Sequence, residues 1–147
     1  MQRPAREIVL ASVLLAVGLA SWLWRAAPSR LAIALEDPDP LVQRGAAQAL
    51  GEAGAAAAWA VPQLVQMLAN EVLASAAAFA LGQIGAPARA AVPALAACAR
   101  ARDPILLSRV AVALLRIAPQ DAQAQAAIAL VRSNPVPIVR KLASPER

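Results

Sequence analysis

Part of the chain recurs at a constant spacing. Residues 49–54 (ALGEAG) return as residues 80–85 (ALGQIG), and residues 60–64 (AVPQL) return at the same shift as residues 91–95 (AVPAL). A period of about 30 residues is typical of solenoids, in which each repeat is one unit of secondary structure that buries its apolar face against the next unit. The sequence therefore predicts a stack of short repeats.

Composition indicates what each unit is made of. The 147 residues are 60 % apolar but only 3 % aromatic, and alanine supplies much of the difference. Alanine is the best helix former and lets helix backbones approach closely, so an all-α fold is expected. The sequence has no His and no Tyr, and it has a single Cys. These absences exclude a His-based catalytic triad, a His metal site and an intrachain disulfide. We expect no cofactor and no catalysis.

Charge is distributed unevenly along the chain. Residues 1–30 carry a net charge of +3, residues 31–84 a net charge of −4, and residues 85–147 a net charge of +6. A basic surface can meet an acidic protein, an anionic lipid or a nucleic acid. The alternative is that these arginines only keep an alanine-rich protein in solution.

The N-terminal segment has the pattern of a membrane anchor. Residues 8–24 contain no charge and are flanked by arginines on both sides. Their number is close to the minimum for a helix that crosses a bilayer. Trp22, Trp24 and Arg25 lie where side chains at a membrane interface are expected. Residues 1–28 are therefore predicted to be a transmembrane anchor.

Two alternatives to the anchor remain open, namely a cleaved signal peptide and a buried soluble helix. Small residues precede Ser21, as they would precede a cleavage site. Orientation rests on a weak asymmetry, because two arginines lie on each side of the span and the α-amino group adds positive charge before it. The expectation is a single-pass inner-membrane protein with its repeats in the periplasm.

Helix pairs are predicted to follow the anchor. Apolar residues recur at helical spacing, and Pro- or Gly-containing turns separate the segments. The repeat domain is placed at residues 29–143 and a tail at 144–147. Within the third copy, Arg109 is aligned with Arg44 and Leu115 with the core residue Leu50. The predicted helices cover residues 31–36, 41–53, 57–69, 71–84, 88–100, 105–117, 122–132 and, as a short last helix, 138–143.

The order of three short motifs resembles the HEAT repeat, particularly the short bacterial form related to the repeats of phycobilisome lyases. These motifs are A-V-P-x-L in the first helix, Asp-Pro in the turn followed by an Arg, and A-L-G-x-x-G in the second helix. The resemblance covers roughly residues 29–143. It implies a right-handed α-solenoid of about three and a half helix pairs, in a family that mostly binds proteins.

The resemblance also implies roles for particular residues. The turn Asp of such repeats bonds to the Arg early in the second helix, which would pair Asp37 or Asp39 with Arg44, and Asp103 with Arg109. Ser75 stands near the Arg position of the middle copy and should interrupt this ladder.

The second helices of a solenoid line one face, which is the expected binding surface. Its C-terminal part is basic, and the residues predicted to contact a partner are Arg109, Arg116, Arg140 and Lys141. Cys98 lies in an apolar stretch and is expected to be an inert thiol. Trp59 and Phe79 are expected to fill the seam between the first two pairs.

These features favour a membrane-tethered scaffold or accessory subunit that binds a partner protein of a membrane complex, without a small-molecule substrate. One alternative is a chromophore-handling enzyme similar to the phycobilisome lyases. Another is nucleic-acid binding through the basic C-terminal half, which would require a cytoplasmic domain and would weaken steeply with salt.

Overall fold

The computed structural model describes residues 30–134, and every regular element within that range is helical. The predicted all-α fold is confirmed for this part of the chain. A first helix, α1, covers residues 30–35. The remaining α-helices are α2 (Pro40–Ala53), α3 (Val61–Met67), α4 (Ala74–Ile84), α5 (Val92–Cys98), α6 (Pro104–Ile117) and α7 (Ala122–Arg132).

The helices form two layers. In one layer α4 lies between α2 and α6 and contacts both. In the other, the segment that leads into α3 contacts the segment that leads into α5, and α5 contacts α7. Contacts of α3 with α4 and of α5 with α6 join the layers. This paired stacking is the arrangement predicted from the repeat, whereas the right-handedness of the solenoid stays a prediction.

None of the helices between residues 30 and 134 has both the length and the apolarity needed to cross a bilayer. The predicted anchor, its interface residues Trp22, Trp24 and Arg25, the last helix at residues 138–143 and the tail at 144–147 lie outside the described residues. They stay predictions.

The turn before each second helix contains the same side-chain hydrogen bond. The Oδ1 atoms of Asp39, Asn70 and Asp103 each accept a hydrogen bond from the backbone N–H two residues further on, at 2.8, 2.9 and 2.9 Å. Asp39 and Asp103 are the N-caps of α2 and α6, where they satisfy one of the backbone donors that a helix leaves unpaired at its start, whereas α4 begins after Leu73 without a side-chain cap. The turn residues singled out in the sequence thus define where α2 and α6 begin.

The first helices of the second and third pairs begin later than their sequence pattern predicts. Residues Gly54–Ala60 and Ala86–Ala91 form 3₁₀ turns, and the α-helices start at Val61 and Val92, each directly before a proline. Proline lacks an N–H and is accommodated in the first turn of a helix. The A-V-P motif therefore marks the start of α3 and α5.

Glycine ends α2 and α4 in a conformation outside the left-handed helical region. Gly54 has φ 58° and ψ −136°, and Gly85 has φ 75° and ψ −142°. Positive φ with strongly negative ψ is a region open to glycine and closed to residues with a Cβ. The third copy ends at Ala118 with φ −151°. This turn needs no glycine, which explains the departure of the third copy from the Gly-ended pattern.

Small residues let the three second helices approach closely. A Cβ on Gly51 of α2 would lie 3.2 Å from the Cα of Ala80 in α4. A Cβ on Gly82 of α4 would lie 3.0 Å from the Cα of Ala113 in α6. Thus the same glycine of successive repeats packs on an alanine of the next. This is the physical use of the A-L-G motif.

The core places the third repeat in a different register from the one predicted. Leu50, Leu81 and Leu114 are 1 %, 0 % and 0 % exposed, whereas Leu115 is only partly buried. The alignment of Leu115 with Leu50 was therefore wrong by one residue, and Leu114 is the equivalent core position. Other buried anchors of the core are Leu64, Leu95, Leu107, Val110, Ile128 and Val131.

Candidate protein-interaction face

The outer surface of α2, α4 and α6 is built from rows of equivalent residues. The first row lies at the start of α2, in the turn before α4 and at the start of α6. It consists of Leu41, Val72 and Ile105, which are 65 %, 66 % and 59 % exposed. Each of them donates its backbone N–H to the Asp or Asn side chain of its own turn. This hydrogen bond therefore holds the backbone of three exposed aliphatic residues along one edge of the stack.

Two further rows cross the middle and the far end of these helices. The middle row is Gln48, Phe79 and Val112, and the far row is Glu52, Gln83 and Arg116. We call the surface that these rows border the groove face. Its lining residues are Arg44, Gln48, Val72, Ser75, Ala76, Ala78, Phe79, Gly82, Gln83, Ile105, Ser108, Arg109, Val112, Ala113 and Arg116.

The groove face contains two depressions that share Phe79 and Arg109 as lining residues. The larger has a volume of ≈ 510 Å³ and reaches from Arg44 on α2 to Ile105 on α6. The smaller has a volume of ≈ 200 Å³ and lies between α4 and α6, next to Arg116. Together they extend across α2, α4 and α6, with Phe79 and Arg109 lining both, and we call the two depressions the trough.

Arg109 bridges α6 and α4. Its Nη1 donates a hydrogen bond to the carbonyl oxygen of Ser75 at 3.0 Å, and its guanidinium carbon lies 5.6 Å from the centre of the Phe79 ring. An arginine over an aromatic face gains a cation–π attraction, and its remaining donors stay available. Arg109 is thus held in place at the centre of the trough.

The two other arginines of the groove face differ in their partners. Arg116 donates a hydrogen bond to the Oε1 of Gln83 on the neighbouring helix. Arg44 is exposed, and its side chain makes no hydrogen bond or ion pair with residues 30–134. Of the predicted partner-contacting residues, Arg109 and Arg116 therefore line the trough, whereas Arg140 and Lys141 lie outside the described residues. Arg44 lines the trough as well, although it was not predicted from the sequence to contact a partner.

The predicted Asp–Arg ladder has a different geometry in the described part of the chain. Asp37 accepts from the N–H of Asp39 at 2.8 Å, and Asp39 caps α2, so neither pairs with Arg44. Likewise Asp103 caps α6 while Arg109 turns to α4. The ion pair found in this range joins Arg89 to Asp121 at 3.6 Å, in the other layer.

The geometry of the described residues gives little support to metal binding or to a nucleophilic thiol. Residues 30–134 contain no cluster of His, Cys, Asp and Glu side chains that could hold a metal ion. Cys98 is half-buried at the end of α5, and desolvation by burial raises the pKa of its thiol. A raised pKa keeps the thiol protonated and poorly nucleophilic at neutral pH.

Of the two aromatic residues predicted to fill the seam between the first two pairs, Phe79 lies at the close approach of α2 and α4, against Gly51, whereas Trp59 is 37 % exposed. The exposed row of Leu41, Val72 and Ile105 was not predicted from the sequence. Its signal was present, because an aliphatic residue stands two positions after the Asp or Asn of the turn in all three repeats.

Comparison with known families agrees with this architecture. The family model described as HEAT repeats matches residues 26–88, which contain α1 to α4 and the turn that ends α4. The chain has no match among curated proteins and none among solved structures. Neither the relation to phycobilisome lyases nor the anchor is part of that match. Residues 26–88 are thus similar to HEAT repeats, and α2 and α4 of the groove face lie within the matched range.

Proposed function

We propose that the protein is a non-catalytic scaffold that binds a partner protein through its groove face. The observation that carries this proposal is the open trough across α2, α4 and α6, bordered by the exposed aliphatic residues Val72 and Ile105. Exposed apolar residues at equivalent positions of successive repeats form an edge that a partner can cover. A solenoid also holds such residues at fixed spacing.

The proposal includes a membrane tether. The uncharged residues 8–24, with Trp22, Trp24 and Arg25 at their end, are the support for it. In this arrangement the protein is an accessory subunit of a membrane complex, with its repeats on the periplasmic side of the inner membrane. Tethering raises the effective concentration of the repeats near a membrane partner, so that a small interface suffices.

Site-specific photo-crosslinking of the full-length chain in its native membrane tests the binding face. A photo-reactive amino acid replaces Val72 or Ile105 on the groove face, and Gln66 or Ala97 on the opposite layer serves as a matched control. All four positions are exposed. We expect a discrete adduct from the first two positions and none from the controls. Equal adducts from all four, or none from the groove face, would contradict a scaffold acting through this face.

The tether is tested separately, by removing residues 1–25. The remaining chain is expected to keep its helical circular dichroism signal and to lose sedimentation with membranes. If the full-length protein fails to sediment with membranes, the tether is wrong while the binding face still stands.

A further inference from the structure

We propose that the groove face binds an extended peptide segment of the partner that carries both acidic and aliphatic side chains. Its carboxylates bind Arg44, Arg109 and Arg116. Its aliphatic side chains cover Val72 and Ile105. This inference rests on the proposed function and adds the chemistry of the partner.

Charge supplies the first argument. The residues that line the two depressions include three arginines and no carboxylate. Two acids close to the trough in sequence do not line it: Glu52 in α2, whose Oε1 lies 3.4 Å from the amide nitrogen of Gln48, and the exposed Glu71 in the turn before α4. A trough with one sign of charge and apolar walls strengthens the attraction for a ligand of opposite sign.

Arg44 and Arg109 have hydrogen-bond donors that can bind a carboxylate. Arg44 makes no ion pair or hydrogen bond within the described residues, so all its donors are available. Arg109 is anchored through one Nη1 hydrogen bond and by the ring of Phe79. An anchored guanidinium loses less side-chain entropy when it binds a carboxylate in the bidentate geometry that arginine favours.

Apolar walls exclude a purely polyanionic ligand. Val72 and Ile105 are more than half exposed at one margin of the larger depression, and Val112 is 38 % exposed in the smaller one. Covering such residues is favourable by roughly 25 cal/mol per Å² of apolar surface. A polyphosphate or a nucleic-acid backbone has no aliphatic groups with which to do so.

The occupant comes from another molecule. Residues 135–147 carry Arg140, Lys141 and Arg147 against Glu146, and residues 1–29 carry three arginines against Glu7, so each of these segments has a net charge of +2. Like charge disfavours either segment in a trough lined by arginines. The charge therefore points to an acidic segment of a partner.

The length of the segment follows from the spacing of the helices. Arg44 and Arg116 stand on helices separated by α4. Two steps of helix packing span roughly 16–20 Å. Arg116 also stands eight positions further along its helix than Arg44, in the row of Glu52, which adds roughly 12 Å along the helix axis. The two arginines are therefore roughly 20–23 Å apart, and about six or seven residues of an extended chain, at about 3.3 Å each, connect them.

Fluorescence anisotropy with the full-length protein in detergent micelles tests this inference. The probe is a labelled peptide of about ten residues, enough to cross the trough with flanks, in which Glu alternates with Leu and Ser. One control peptide has Gln at every Glu position, and a second has Ser at every Leu position. We expect saturable binding of the first peptide that weakens as salt rises, and at least tenfold weaker binding of both controls.

Two exposed substitutions locate the site without threatening the fold. Arg44→Gln is expected to weaken binding about five- to tenfold, the loss of one charge-assisted contact. Val72→Ser is expected to weaken it by a similar factor. Arg89→Gln removes the same charge from the opposite layer and should leave binding unchanged. Equal loss in Arg89→Gln, or no loss in Arg44→Gln and Val72→Ser, would overturn the inference.

Other results of these experiments would identify a different ligand of the trough or reject the acidic peptide. Equal affinity for a single-stranded DNA of matched charge would replace the acidic peptide with a general polyanion. Concentration-dependent self-association that Arg44→Gln abolishes would make a second copy of this chain the occupant. If the peptides fail to bind while photo-crosslinks form at Val72, the proposed acidic chemistry is wrong and the scaffold remains.

Discussion

At the scale of single residues, one position of register changes what an arginine does. Arg44 follows its cap Asp39 by five residues, and Arg109 follows Asp103 by six. One residue corresponds to about 100° around a helix, so the two side chains leave their helices in different directions. Arg44 is exposed to solvent and Arg109 reaches Ser75 on α4. The alignment of the repeats made them equivalent because both are arginines, and residue identity alone does not indicate which face of the helix each one occupies.

The glycines of the second helices provide a stability test at this scale. Gly82→Ala places a Cβ 3.0 Å from the Cα of Ala113, a backbone atom that cannot move aside alone. Overpacking of this kind lowers the free energy of unfolding by about 1–3 kcal/mol. The better helix propensity of alanine offsets up to about 1 kcal/mol of this loss. We expect a net loss of about 1–2 kcal/mol in the free energy of unfolding, measured with urea.

Gly45→Ala is the matched control, because a Cβ there meets nothing within 4 Å. It should raise the free energy of unfolding by about 0.5–1 kcal/mol. If both alanine variants are stabilised, the close approach of α4 and α6 is not present in solution.

The thiol of Cys98 provides a pH test. Burial raises its pKa, so the folded protein favours the neutral thiol. Iodoacetamide should therefore react more slowly with the folded protein than with the urea-unfolded chain at pH 8, and the difference should narrow at higher pH. The raised pKa of the thiol also contributes to the stability of the folded protein. This contribution is fully present below the pKa that the thiol has in the unfolded chain, and it is lost as pH rises through the pKa that the thiol has in the folded protein. Equal rates at pH 8 would contradict the burial.

At the scale of elements, each second helix is defined by its two ends. Asp39 and Asp103 cap the starts of α2 and α6, and α4 follows a turn in which Asn70 accepts from the N–H of Val72. Gly54 or Gly85 with positive φ ends α2 and α4. The first helices start instead at a proline that follows 3₁₀ turns. Local chemistry therefore sets the boundaries, and the mismatch at residues 57–60 arose because apolar periodicity cannot distinguish a 3₁₀ turn from an α-helix.

Substitutions of Asp103 distinguish its helix-capping hydrogen bond from the predicted ion pair with Arg109. Asp103→Ala removes the oxygen that accepts from Ile105 N–H, and the loss of this cap should cost about 1 kcal/mol of stability. Asp103→Asn keeps an acceptor at the same place, as Asn70 does in the middle repeat, and should cost little. Urea unfolding measures both. An equal loss in both variants would show that the charge of Asp103, and with it a pair with Arg109, is what stabilises the turn.

At the scale of the whole molecule, stability is shared between neighbouring repeats. Helix α4 contacts α2, α3 and α6, so its core side chains belong to two interfaces at once. Each repeat of a solenoid is too thin to bury its own apolar face. Unfolding of one repeat exposes the faces of the next, which links the array into one cooperative unit.

Leu81→Ala tests this coupling. Leu81 is fully buried in α4, and truncation of such a leucine costs about 2–5 kcal/mol. The loss should appear in a single urea transition for the whole domain, because α4 connects its neighbours. Two separate transitions for Leu81→Ala would mean that the repeats unfold independently.

Leu41→Ala is the control for this substitution. It removes an equal side chain at a position that is 65 % exposed. Surface substitutions of this kind change the free energy of unfolding by about 0.5 kcal/mol or less. A large loss in Leu41→Ala would show that the first row of the groove face is buried in solution.

The repeat itself was readable from the sequence, since the recurrence of A-L-G and A-V-P follows from local requirements: a small residue at a helix crossing, a glycine at a helix end and a proline at a helix start. The trough was not readable in the same way. Whether Leu114 or Leu115 is buried, and whether Arg109 meets Asp103 or Phe79, depends on helix rotation within the packed stack. Local sequence determines where a helix begins and ends. Contact between helices that are distant in the chain decides which of its faces is buried and which is exposed.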